Sequence, residues 1–283
     1  MQHPLGAARA VSRMYADRAW VGVITALAVA ICLPAARELA YLFERVEFYA
    51  HGYLVPPVAV YLAFIERRAL AAALRDLRPP PLGAPVVLLA GTLELLALMG
   101  DTGFAAGLGI PLLLGATAWA VGGVPLLRPL TLPLIFLTLM VPPPYFVTQS
   151  LLAELKLLVT RVSVEILHRL GQTVFADGNR IEVPGHELFV ADACSGLTSI
   201  VTLLPVACVV AYFLSRGWWR RSLVVLSVVP LAMLANVGRV VGTVLLFSRI
   251  GPQAAQGLLH ETFGLATYTV GTLALVLLAR LLR

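Results

Sequence analysis

Long apolar runs separated by short polar segments constrain this chain more than any other feature. A helix needs about 20 predominantly apolar residues to cross the hydrocarbon core of a bilayer. Eight runs can be traced, at Trp20 to Phe43, Tyr53 to Ile65, Val86 to Met99, Phe104 to Val121, Leu130 to Val141, Ser195 to Leu214, Leu223 to Phe247 and Phe263 to Ala279. This pattern predicts an all-α polytopic integral membrane protein with about eight transmembrane helices.

The composition excludes the soluble classes. Of the 283 residues, 59% are hydrophobic and 13% are charged, and the mean hydropathy is +0.89. A soluble domain has about 45–50% apolar and about 25% charged residues, so disorder, a coiled coil and an ordinary cytosolic enzyme are excluded. Three cysteines without a short-spaced pair argue against a disulfide framework or a zinc site. We expect no cofactor, no metal and no nucleic-acid partner.

Two segments within residues 142–193 differ from the apolar runs. Charged residues interrupt Gln149 to Leu170, while leucines and valines recur at helical spacing. This predicts a helix in the membrane interface, with a tilted span as the alternative. Gln172 to Ala191 has short alternating runs with turn signals at Asp177-Gly178 and Pro184-Gly185. It predicts a small three-stranded extracytoplasmic β element, because the backbone N–H and C=O groups at open strand edges would have no hydrogen-bond partners in hydrocarbon.

The arginines predict the orientation, since cytoplasmic loops are enriched in basic residues. With the N-terminus inside, the short outer loops between the first four spans hold only Arg45. The inner segments hold thirteen arginines, namely Arg9, Arg13, Arg18, Arg67, Arg68, Arg75, Arg78, Arg128, Arg216, Arg220, Arg221, Arg280 and Arg283. We expect a cytoplasmic tail over residues 1–18 and a single transmembrane domain over residues 19–283 in the cell (inner) membrane. The first run is long enough to remain as an anchor instead of being cleaved as a signal peptide.

Three residues with reactive side chains fall on the predicted outer side. Cys194 lies where the β element enters the sixth span, Arg239 lies in the seventh run after Asn236, and His260 precedes the eighth span. A thiolate can attack a carbonyl, an imidazole can move protons, and a guanidinium can stabilise an oxyanion. Each also has a plain structural explanation. Cys194 could be a small core residue, Arg239 could snorkel to the interface, and His260 could be a loop histidine.

The sequence before the sixth span favours a reactive thiol. Asp192 is a plausible N-cap, which would place Cys194 in the first helical turn, where the helix dipole favours a thiolate. The Asp192 carboxylate opposes that effect, so Arg239 or His260 would have to outweigh it. Ser195-Gly196 raises the alternative of an intramembrane serine protease, but that motif needs Gly two residues before the serine, where this chain has Ala193.

At these positions the chain resembles the exosortase/archaeosortase family. The resemblance rests on five segments, namely Ala193-Cys194-Ser195-Gly196-Leu197, Asn236 to Arg239, His260, the strands at Gly178 to Val183, and His51 to Pro56. It implies a membrane cysteine protease or transpeptidase with Cys194 as nucleophile, Arg239 as stabiliser of the oxyanion or substrate, and His260 as acid and base. Asp192, Ser195, Asn236 and His51 are supporting candidates. Asp192 stands where many members carry Glu, and Thr198 stands where many carry Arg.

The resemblance also implies the partners. Such enzymes process exported proteins that end in a Pro-Glu-Pro-type motif, a transmembrane helix and a basic tail, and they act within the lipid bilayer. The alternatives are non-enzymatic, either a transporter or export-system subunit or a structural membrane partner. Transporters often carry repeats with broken helices in matching positions, and the sequence shows no such pair. Neither alternative requires a thiol at Cys194.

Overall fold

A computed structural model of the chain describes residues 4–100, 103–183, 186–189, 196–251 and 257–283. Within these residues ten α-helices and three β-strands form. Their bounds are α1 (Pro4–Arg45), α2 (Val55–Ile65), α3 (Arg67–Arg75), α4 (Gly83–Met99), α5 (Gly103–Leu137), α6 (Tyr145–Arg169), β1 (Phe175–Asp177), β2 (Arg180–Val183), β3 (His186–Phe189), α7 (Leu197–Leu214), α8 (Trp218–Leu226), α9 (Val228–Ile250) and α10 (Gly257–Leu281). Short 3₁₀ helices cover Glu47–Tyr53 and Thr138–Met140.

Within the described residues, each apolar run lies mainly in helical structure. Five helical segments of the described chain are long and apolar enough to cross a membrane, at Trp20–Arg45, Gly103–Met140, Leu197–Leu214, Trp218–Ile250 and Thr262–Leu281. Two further apolar helices, Tyr49–Ile65 and Gly83–Met99, are shorter. The helical multi-pass architecture is therefore confirmed, while the number of eight spans remains a prediction.

The chain divides into two compact units, Met1–Pro142 and Pro143–Arg283. In the first unit, α5 is a helical hairpin, because Gly123 has φ 64° and ψ −157° and breaks the helix. A Cβ on Gly115 would lie 3.3 Å from Cδ1 of Leu134. In an unbroken helix these residues would lie about 28 Å apart, so the arm at 124–137 runs back along the arm at 103–122. The two arms correspond to the fourth and fifth apolar runs.

In the second unit, α6 packs against α9, and a three-stranded antiparallel sheet packs against α6. The strand order is β1-β2-β3, and Phe175 pairs with Glu182 while Ile181 pairs with Leu188. The β1–β2 turn contains Gly178 at φ 60°, a conformation that glycine adopts without steric cost. The shared core contains Val159, Leu167, Val174, Ile181, Val240 and Val244. The β element is confirmed, and α6 is a helix, but its place in the membrane interface remains a prediction.

Candidate active site

The seventh helix begins later than the sequence predicts. Gly196 is its N-cap, with φ 84° and ψ −14°, and α7 starts at Leu197. The N-cap of α7 is therefore Gly196 and not Asp192, which corrects the prediction. A residue with a positive φ lies outside the helix, because right-handed helical geometry requires a negative φ. Asp192, Cys194 and Ser195 themselves lie outside the described residues.

Gly196 brings the start of α7 against α9. A Cβ on Gly196 would lie 3.0 Å from Sδ of Met233 and 3.6 Å from Cβ of Asn236. Only glycine has both the left-handed conformation and the missing side chain that this approach needs. Asn236 is 2% exposed, so it is a buried polar residue directly beside the point where the Cys194 segment enters the helix. This contact supports Asn236 as a candidate member of the site.

Arg239 lies one turn further along α9 and is half-buried. Its guanidinium faces α10, because a Cβ on Gly264 would lie 3.4 Å from Nη2 and 3.5 Å from Cζ. Gly264 thus lets the planar cation lie against the backbone of α10. Nearby, a Cβ on Gly242 would lie 3.0 Å from Cε1 of Phe263, so the two helices are closely packed around the arginine.

The contact between Leu203 and Gly271 shows which residues of α7 and α10 lie at the same level of the helical bundle. A Cβ on Gly271 would lie 3.3 Å from Cδ1 of Leu203. Seven residues before each of these positions stand Gly196 and Gly264, so the start of α7 and the arginine contact lie at the same level of the bundle. The structure therefore gathers the entry to α7, Asn236, Arg239 and Gly264 in one layer.

His260 is placed on α10 and not in a loop. The helix begins at Gly257, so His260 lies in its first turn, although its side chain lies outside the described residues. Residues four apart lie on the same face of a helix, and His260 precedes Gly264 by four. The backbone thus places position 260 one turn from the residue that contacts Arg239.

His51 belongs to the other unit of the chain. Its Nε2 atom lies 3.4 Å from the carbonyl oxygen of Leu139, which joins the 3₁₀ helix Glu47–Tyr53 to the chain near Thr138–Met140. A Cβ on the neighbouring Gly52 would overlap the ring of Phe43. The His-Gly motif therefore has a structural task within the first unit.

The two glycines that shape this layer were not among the predicted site residues. Gly196 stands in the Cys194 motif and Gly264 follows His260 by four residues, but a glycine's close neighbours depend on tertiary packing. Gly264 follows His260 by one helical turn, and that spacing is the signal that could have identified it. Within the described residues, no group of three or more His, Cys, Asp or Glu side chains could hold a metal ion.

These observations define a multi-pass helical membrane protein in which a helix start, a buried Asn and an arginine meet inside a bundle. Residues 43–277 match the family model of the transmembrane exosortases, and the chain belongs to that family. Membership places it among membrane sorting proteases and transpeptidases that act on exported proteins, generally as cysteine peptidases. Comparison with curated proteins and with solved structures finds no match.

Proposed function

We propose that this protein is a membrane cysteine protease or transpeptidase that cleaves the C-terminal sorting signal of exported proteins through a thioester on Cys194. The observation that carries the proposal is the layer formed by Gly196, Asn236, Arg239 and Gly264. Cys194 precedes Gly196 by two residues, and His260 precedes Gly264 by one helical turn. Arg239 lies in this layer, the backbone of His260 lies one helical turn from it, and Cys194 is joined to it through Ser195.

The proposed reaction begins with the thiolate of Cys194 attacking the scissile carbonyl carbon. A sulfur–carbon bond forms, and the carbonyl oxygen takes the negative charge of a tetrahedral intermediate. When the intermediate collapses, the carbon–nitrogen bond breaks and His260 donates a proton to the departing amine. Water or an acceptor amine then attacks the thioester, loses its proton to His260 and releases Cys194.

Arg239 has the geometry for stabilising charge in this reaction. Its guanidinium is held against Gly264 inside a closely packed bundle, where water screens charges less than in bulk. A preorganised donor in such a place can stabilise the oxyanion, and a planar fork can equally bind a substrate carboxylate. Sorting signals of the Pro-Glu-Pro type supply such a carboxylate. Both roles require the guanidinium to stay in a fixed plane.

The arginines at the opposite end of the bundle support an extracytoplasmic site. Arg220 donates from Nη1 to the carbonyl oxygen of Arg283 at 2.7 Å, and Arg221 donates from Nε to that of Ser215 at 3.2 Å. The ends of α7 and α10 and the start of α8 therefore meet in a basic cluster. Arg239 follows Arg221 by 18 residues in the helical segment Trp218–Ile250, a helix length of about 27 Å, which is close to the hydrocarbon thickness of about 30 Å. If the basic cluster faces the cytoplasm, the candidate site lies at the outer face.

A processing assay tests the proposed function. An exported protein with a Pro-Glu-Pro-type tail is co-expressed with the wild type, with Cys194→Ala and with Cys208→Ala as the matched control. Cys208 is a free thiol within α7, so its loss removes a sulfur from the helix that follows Cys194 without touching the proposed chemistry. We expect processing to stop only in Cys194→Ala. Normal processing by Cys194→Ala, at normal membrane levels, would contradict the proposal.

A further inference from the structure

A buried carboxylate in the first unit has no part in the proposed chemistry. Glu94 on α4 is 1% exposed. Among the residues that the structure describes, none offers a hydrogen-bond partner to either of its carboxylate oxygens. Burying a polar group without a partner costs free energy, and burying a charge costs more. Ionisable residues inside membrane helices therefore usually mark a functional site.

Gly109 on α5 provides the space for this carboxylate. A Cβ on Gly109 would overlap Oε2 of Glu94. Any other residue at position 109 would force the glutamate to move. The close approach of backbone and carboxylate therefore keeps Glu94 inside the bundle, where the described part of the chain gives it no partner.

Glu94 lines a cavity of about 730 Å³ between α4 and the two arms of α5. Pockets for small molecules have volumes of about 300–1,000 Å³ and mostly apolar walls with a few polar groups. The walls here are aliphatic side chains and Trp119, together with Thr131 and Thr138. Both threonine hydroxyls donate to carbonyl oxygens of their own helix. Glu94 is the one charged residue among the described lining residues.

The cavity is reached from the side of the helices. Four of its lining residues are large, apolar and 58–68% exposed, namely Leu89, Leu93, Leu112 and Ile135. Side chains of this kind on membrane helices contact lipid acyl chains. Glu94 precedes Met99, the last residue of α4, by five residues, or about 7.5 Å along the axis. The 17 residues of α4 extend over only about 25 Å, and a short helix thins the bilayer around it.

We propose that this cavity binds an aminolipid of the surrounding membrane. The Glu94 side chain turns from Gly109 into the cavity, the primary ammonium of the headgroup donates hydrogen bonds to its carboxylate, and an acyl chain lies along the apolar wall. A charge-assisted hydrogen bond is among the stronger pairings for a carboxylate, and a membrane lipid has the apolar body that the walls require. Because Glu94 lies about 7.5 Å from the end of α4, its depth is close to that of the headgroup layer. This site does not depend on the proposed protease activity.

Photo-crosslinking of the full chain tests the site. The protein is reconstituted in phosphatidylcholine nanodiscs with a small fraction of phosphatidylethanolamine that carries a diazirine on one acyl chain. After irradiation, adducts are mapped by peptide mass spectrometry. We expect adducts on peptides of α4 and α5, and we expect Glu94→Gln to reduce them about tenfold, because a hydrogen bond between charged groups is lost. Glu38→Gln removes a carboxylate from α1 outside this cavity and should leave the labelling unchanged.

Two further experiments distinguish a specific site from general contact with lipid. Phosphatidylcholine with the same photoactivatable chain has no N–H donor, and phosphatidylglycerol has no ammonium, so both should label weakly. Ala90→Phe fills the cavity while Glu94 stays in place, and it should also abolish labelling by the aminolipid. Equal labelling by all three lipids, or unchanged labelling in either Glu94→Gln or Ala90→Phe, would overturn the proposal. Ala90→Phe decides the matter if Glu94→Gln does not accumulate.

Discussion

Single glycines set how closely α9 approaches its neighbours at the candidate site. Gly196 lets Met233 and Asn236 of α9 approach the start of α7 closely, and Gly264 lets the guanidinium of Arg239 approach the backbone of α10. In both places the missing side chain brings backbone next to a polar group. The position of the arginine therefore depends on Gly264 as much as on Arg239 itself.

Replacing Gly264 by leucine should displace the guanidinium. The expected loss of processing is about tenfold or more, since a misplacement of about 1 Å can cost about 100-fold. Gly238→Leu is the matched control, because a Cβ at Gly238 meets no atom within 4 Å. Cleavage of the tailed substrate is followed over time and normalised to the enzyme level. Equal activity in the two variants would show that the contact with Gly264 does not position the arginine.

Arg239→Lys separates an anchoring role from a catalytic one. If Arg239 only reaches the interface, lysine should replace it well, because its long stem also snorkels. If the guanidinium binds an oxyanion or carboxylate, lysine lacks the planar fork. We expect normal membrane levels and at least about tenfold lower activity, equivalent to about 1.4 kcal/mol or more in the barrier. Arg249→Lys, an exposed arginine on the same helix, is the control, and near-normal cleavage by Arg239→Lys would favour anchoring.

The predicted topology together with residue type identified Cys194, Arg239 and His260 as candidates, because few side chains carry this chemistry at the outer face of a membrane protein. The contact between Arg239 and Gly264 could not be predicted, since it depends on how α9 and α10 pack. The burial of Glu94 against Gly109 was missed for the same reason. Both involve a glycine whose neighbour is distant in sequence.

At the scale of elements, the apolar runs predicted the helices well, because a helix needs about 20 apolar residues to cross the hydrocarbon core of a bilayer. The break between the fourth and fifth runs proved to be the turn of a hairpin at Gly123, where backbone of another loop also approaches. The start of α7 was predicted wrongly. Asp192 is a favourable cap in isolation, but packing against Met233 and Asn236 fixes the helix start at Gly196.

The N-cap of α7 gives a prediction about stability. Gly196→Ala adds a side chain to a residue at φ 84° and also places Cβ 3.0 Å from Sδ of Met233. Gly171→Ala is the matched control, because Gly171 follows the end of α6 at φ 76° and has no neighbour within 4 Å. The control should lose only the free energy of unfolding that the strain of a left-handed residue costs, about 1–2 kcal/mol. Gly196→Ala should show the larger fall in melting temperature in detergent, and an equal or smaller fall would contradict the role of the contact.

At the scale of the whole molecule, the account depends on the side of the membrane that Cys194 faces. A variant lacking Cys32 and Cys208 leaves Cys194 as the single thiol. We expect an impermeant maleimide to label it in intact spheroplasts, because the basic cluster at the other end of the bundle favours the cytoplasm. A variant whose single cysteine replaces Arg216 should be labelled only after lysis. The reverse pattern would overturn the orientation and, with it, the extracytoplasmic site.

The central claim is a thioester between Cys194 and the processed protein, and trapping that adduct tests it most directly. Purified enzyme in nanodiscs is mixed with a tailed substrate and quenched in acid, and the enzyme peptides are analysed by mass spectrometry with and without hydroxylamine. The account predicts a substrate fragment on the peptide that contains Cys194, released by hydroxylamine, absent from Cys194→Ala and present in Cys208→Ala. Substrate cleavage without any such adduct, or an adduct that persists in Cys194→Ala, would contradict it.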